Sequence, residues 1–144
     1  MTLAAAGIAF AAPAIAAPSV QDLLGSVAPL SAPQPAAKLI VDPPLAEPLS
    51  RGTIFIQYRT ENLRILPVFG TKALEVSPRI GHLHVTVDDA PWHWADASGN
   101  PIIVAGLAPG AHRIELILAD SNHQKLDRQV VEVVVPEVAG YSHH

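Results

Sequence analysis

Between Lys38 and Pro136 the chain is cut into short runs by Pro, Gly, Asp and Asn, and no run keeps a 3.6-residue apolar period long enough for a substantial helix. Short β-rich runs between turn signals are the pattern of an all-β sandwich or barrel. The runs at Lys38–Asp42, Thr53–Arg59, Gly81–Val87, Ile102–Val104, Ala111–Ala119 and Arg128–Val135 read as strands. Asn62–Val68, broken by Pro67, and Lys72–Val76 are weaker ones. The expected fold is an antiparallel β-sandwich of about seven short strands, immunoglobulin-like or cupredoxin-like in outline. Ile54, Ile56 and Tyr58 share one face of their strand, and Ile114, Leu116 and Leu118 face inward from theirs.

The segments before this region have a different texture. Residues 1–17 are alanine-rich, apolar and uncharged, and Ala14-Ile15-Ala16 fits the small-x-small pattern of a signal-peptidase site. No Lys or Arg precedes the apolar stretch, which is too short to span a membrane. Residues 18–37 read as a Pro/Ala linker, 38–136 as the β-sandwich domain, and 137–144 as a C-terminal tail. The expected location is periplasmic or secreted, in a bacterium. A net charge of −4 without any basic run argues against nucleic acid as a partner. The absence of cysteine excludes disulfides, zinc–thiolate sites and iron–sulfur clusters.

The richest stretch chemically is Gly81-His82-Leu83-His84-Val85-Thr86-Val87-Asp88-Asp89-Ala90-Pro91-Trp92-His93-Trp94, which holds both tryptophans and three histidines. On a strand, Leu83, Val85 and Val87 face a core while His82 and His84 project from the other face. Residues two apart on a strand have Cα atoms roughly 6.5–7 Å apart, within reach of a shared metal ion. This stretch, with Tyr58–Gly70 and Leu107-Ala108-Pro109-Gly110-Ala111-His112-Arg113-Ile114-Glu115-Leu116, resembles a bacterial family of small exported proteins, a domain of unknown function. Its pattern is Gly-His-x-His, Pro-Trp-His-Trp and Leu-x-Pro-Gly-x-His. The likeness covers about residues 38–136 and implies membership of that family without implying an activity.

Two readings of function follow. In the first, His82 and His84, joined by His93 or His112, bind a transition metal ion, zinc or copper(II), for which imidazole is a suitable donor. His93 lies a turn away on a segment that can return beside the strand, and His123 sits in a later loop next to Asp120. The same histidines also fit a plain role: His82 and His84 on a solvated sheet face, His112 at the edge of the core. In the second reading the module is structural, and Trp92 and Trp94 with a sheet edge dock a partner protein or envelope glycan. The two indoles equally fit a plug for the core. Asp88-Asp89 before Ala90-Pro91 reads as a turn rather than as a catalytic pair. No phosphate loop, nucleophile elbow or zinc-protease helix is present, so no enzyme is expected, and the molecule would carry no cofactor beyond the metal.

Overall fold

The structure is a computed structural model and describes residues 28–29 and 33–138. The expected signal peptide at 1–17, most of the linker and the end of the tail, including His143 and His144, lie outside those residues. The described elements are β1 (Ala28–Pro29), β2 (Lys38–Val41), the one-turn helix α1 (Ala46–Leu49), β3 (Thr53–Ile56), β4 (Tyr58–Glu61) and β5 (Arg64–Ile65). A 3-10 turn at Thr71–Glu75 follows, then β6 (Val76–Ser77), β7 (Ile80–Val87), β8 (Trp94–Asp96), β9 (Ile102–Ala105), β10 (Gly110–Asp120) and β11 (Lys125–Val135). The fold is all-β and sandwich-like, as its periodicity predicts.

One layer is the sheet β11-β10-β7-β5, with β8 beside β5 on the far edge of β7. The facing layer consists of two short ladders, β2–β4 and β3–β9. Leu83, Val85, Ile114, Leu116 and Leu118 meet Leu39, Ile54, Ile56, Ile102 and Val104 in a single buried cluster. Side chains from β11 tie the layers together. Asp127 Oδ2 accepts the Leu39 N–H at 2.7 Å, and Gln129 Nε2 donates to the Leu39 carbonyl at 3.3 Å. This satisfies a backbone edge of β2 that has no strand beside it.

Four features depart from the sequence expectation. The described residues form eleven strands rather than about seven, because β1, β5 and β6 are two-residue bridges and β8 is a short return strand. The pairing is not purely antiparallel: β5 runs parallel to β7, Arg64 opposite Ile80. The loop and 3-10 turn between them carry the chain back so that β7 starts in the direction of β5. Thr53–Arg59 is not one strand, for it breaks at Gln57 and serves β9 with its first half and β2 with its second. Finally, the fold begins before Lys38. Ala37 is buried, Gln34 Oε1 accepts the Arg79 N–H at 2.6 Å, and Gln34 Nε2 donates to the Val76 carbonyl at 3.0 Å. No helix among the described residues is long and apolar enough to cross a membrane.

The ladder between β7 and β10 sets the position of everything chemical. Its register places Val87 opposite Ile114, His84 opposite Ile117 and His82 opposite Ala119. At the start of β7 the chains are so close that a Cβ on Gly81 would stand 2.1 Å from the Ala119 carbonyl oxygen and 2.9 Å from Leu63 Cδ1. Only glycine fits there, which explains the first letter of Gly-His-x-His. At the other end, Asp88 and Asp89 turn with φ of 51° and 52°. Asp88 Oδ1 accepts the Arg113 N–H at 2.9 Å, and Asp88 Oδ2 receives His112 Nδ1 at 2.8 Å. His112 Nε2 donates to the Ala108 carbonyl at 2.7 Å. With an acceptor at each ring nitrogen, this clamp is complete when His112 is protonated.

Gly81→Ala is expected to destabilise the fold by about 3 kcal/mol in urea unfolding, because rigid backbone must move to admit one methyl group. The clamp makes a second prediction. The Asp88 hydrogen bond raises His112 above 6.5, so its contribution is complete below 6.5 and fades as pH rises through the raised value. The Arg113 N–H and then His112 hold Asp88 below 3.8, so its contribution is present above 3.8 and fades as pH falls through the lowered value. The gap in urea midpoint between the wild type and Asp88→Asn is therefore expected to be widest between those limits and to narrow above them. A gap that does not vary with pH would mean that Asp88 acts only in the turn.

Candidate metal centre

His82 and His84 leave β7 on the face opposite Leu83 and Val85, as strand alternation requires. That face is covered at its start. His82 is 0% exposed although it lies outside the hydrophobic core, and Ser121 beside the end of β10 is 1% exposed. The small side chain of Ala119 opposite His82 leaves room for the imidazole. Phe69 lies over it, ring centroid 5.0 Å from that of His82 and edge-on.

The third histidine comes from the β10–β11 turn. Asp120 shapes this turn: its Oδ1 accepts the N–H groups of Asn122 at 2.8 Å and Gln124 at 2.9 Å, and its carbonyl accepts the His123 N–H at 3.0 Å. His123 sits at φ 64° in the left-handed region, which aims its ring back over β7. His82 Nε2 stands 2.9 Å from His84 Nε2 and 3.0 Å from His123 Nδ1, and the last two are 3.2 Å apart.

Hydrogen bonds do not account for this triangle. A ring nitrogen carries one proton or one lone pair in its plane, so it donates or accepts but does not do both. Of three such nitrogens, at least two are alike, and they face each other. Burial, then the neighbouring rings of His84 and His123, pushes His82 down to about 4. Burial, then His93 and His123, lowers His84 as well. At neutral pH these two rings are uncharged and each offers a lone pair. A bound cation would resolve the conflict. Zinc–nitrogen bonds of about 2.0–2.1 Å in a tetrahedron separate the nitrogens by about 3.3–3.4 Å. The observed edges fall short of that by about 0.5 Å or less. Among the described residues, His82, His84 and His123 are the group whose donor atoms converge closely enough to hold a metal ion.

The other sequence candidates lie elsewhere. His93 sets its exposed ring at a tilt beside that of His84, centroids 4.7 Å apart, but its nitrogens do not join the converging group. His112 belongs to the clamp with Asp88. It is seven residues along β10 from Ala119, roughly 24 Å away on an extended strand, so it serves the other end of the sheet. Trp94 pairs with Val85 and packs against the core. Trp92 is 60% exposed, its ring 6.2 Å from that of Trp94. His123 takes the place that His112 held in the expectation. The pairing decides it: because β10 runs antiparallel to β7, the loop after Ala119, not the start of the strand, reaches His82. A groove of about 480 Å³ at the opposite end, lined in part by Arg51, Thr53, Leu107 and Glu137, contains no histidine.

No curated protein and no solved structure matches the chain. Residues 1–144 match the model of the family of unknown function DUF6130, and the chain belongs to that family.

Proposed function

We propose that this protein is an exported bacterial module that binds one transition metal ion, zinc or copper(II), through His82, His84 and His123. The observation that carries the reading is the triangle of ring nitrogens at 2.9, 3.0 and 3.2 Å, which no placement of protons satisfies. An all-imidazole donor set suits zinc, copper and nickel, and it discriminates against calcium and magnesium, which require oxygen. Copper(II) outranks zinc in intrinsic affinity for such a site, so availability outside the cytosol decides which ion arrives. Export is supported by the alanine-rich start and the Ala14-Ile15-Ala16 pattern. The module binds its ion rather than transforming a substrate.

Trp92 supports a second reading. Because Trp94 is committed to the core, Trp92 is the indole that a partner protein or envelope glycan would meet. Under this reading Trp92→Ala abolishes partner binding and leaves metal affinity unchanged.

The test is a calorimetric titration of zinc and of copper(II) into the full chain at pH 7, with His143→Ala and His144→Ala as the background. One ion per chain is expected. Each of His82→Ala, His84→Ala and His123→Ala should weaken binding by about 100-fold or more, and Asp120→Ala, which releases the turn under His123, by about tenfold. His112→Ala should stay within about twofold, because it is remote from the site. Unchanged affinity in all three ligand variants would sink the proposal. Zinc at 100 times its dissociation constant should raise unfolding stability by about 2.7 kcal/mol, and a chelator should return the melting temperature to its starting value.

A further inference from the structure

We propose, resting on the metal reading, that the ion held by His82, His84 and His123 keeps a fourth, solvent-facing position that takes a small exogenous anion, with His93 placed to hydrogen-bond it. The ligand count comes first. Three donors converge, and no fourth His, Asp or Glu among the described residues joins them. Three protein ligands with one position left over are the arrangement of zinc sites that bind an outside ligand, whereas structural sites close with four.

Charge points the same way. Neutral imidazoles leave a divalent ion's charge uncompensated. Asp120, next in the turn, has its Oδ1 occupied by the N–H groups of Asn122 and Gln124, and it is not among the converging donors. No carboxylate among the described residues joins the three donor atoms, and an anionic fourth ligand is favoured over a neutral one.

The surroundings show where that ligand enters. His82 is fully buried and forms the floor. Phe69 closes one flank: its ring lies 5.0 Å from that of His82 and is stacked 5.9 Å from that of His123. His123 is exposed and His84 half-buried, so the outer side is open. His93 stands on that side. Trp94 is fixed opposite Val85, so the preceding residue, in line with Thr86, lies on the face of His84. Its ring reaches the ring of His84 while its nitrogens stay outside the ligand group. A polar ring next to the open position, and not in it, is suited to hold what binds there.

Cobalt(II) is the probe, since its visible bands report coordination number. The cobalt-loaded full chain, with His143→Ala and His144→Ala, is titrated with sodium azide beside the same protein carrying His93→Ala. Saturable one-to-one azide binding by the parent is expected. His93→Ala should keep its cobalt affinity and bind azide about fivefold more weakly, the effect of one lost hydrogen bond. A parent spectrum indifferent to azide overturns the proposal, and azide binding gained only in His93→Ala would make His93 the fourth ligand. Equal azide affinity in both proteins removes His93 from the role. A parent that fails to bind cobalt, zinc or copper overturns the metal reading itself, a result distinct from metal binding without azide.

Discussion

The antiparallel ladder between β7 and β10 is the constraint on which the structure depends. It fixes two faces at once. On one, Leu83, Val85, Ile114, Leu116 and Leu118 are fully buried and form the centre of the core. On the other, the same register sets His82 against Ala119 and His84 against Ile117. A slip of one residue would turn the imidazoles into the core and the leucines outward, so the hydrophobic effect that holds the core also holds the histidines in place. The site needs no separate means of keeping His82 and His84 aligned.

The start of this ladder is tight, and the tightness positions the histidine cluster. Gly81 lets the backbones of β7 and β10 approach where a methyl group would strike the Ala119 carbonyl. Ala119 then leaves space for the His82 ring, and the chain turns sharply through Asp120 to place His123 above it. Small residues and one aspartate thus bring together rings from elements 39 and 41 residues apart in sequence. The polar balance there is poor in protein terms. His82 Nδ1 and Ser121 Oγ are buried without a hydrogen-bond partner among the described residues. Each such group costs about 1–3 kcal/mol. Together with three nitrogens in conflict, this is the kind of local expense that a fold retains where it binds something.

The two ends of the β7–β10 ladder have divided the histidines between structure and chemistry. At the Asp88 end, His112 has an acceptor at each nitrogen, and its pKa is raised. At the Gly81 end, His82 is buried against other imidazoles and pushed down to about 4. One ring is set up to hold a proton and the other to refuse one. Both nitrogens of the first are engaged by acceptors, whereas the second is held neutral and has a lone pair to give a metal ion.

Strand alternation is local, so the sequence by itself determined the all-β class, most strand positions, the inward faces of β3, β7 and β10, and the shared face of His82 and His84. Turn chemistry is local too, and Asp88-Asp89 is the turn its residues suggested. The partner of that histidine pair is not local. Whether His112 or His123 completes it depends on which end of β10 lies beside Gly81, a matter of strand direction and register that no spacing in the chain encodes. The same holds for the parallel entry of β5, the switch of the β3–β4 segment between two ladders at Gln57, and the packing of Ala37 into the core. The distinction between Trp92 and Trp94 is also tertiary: both alternate correctly, but only the pairing of Trp94 with Val85 places one against the core and leaves the other in solvent. Periodicity assigns a side chain to a face, and long-range pairing alone decides what that face meets.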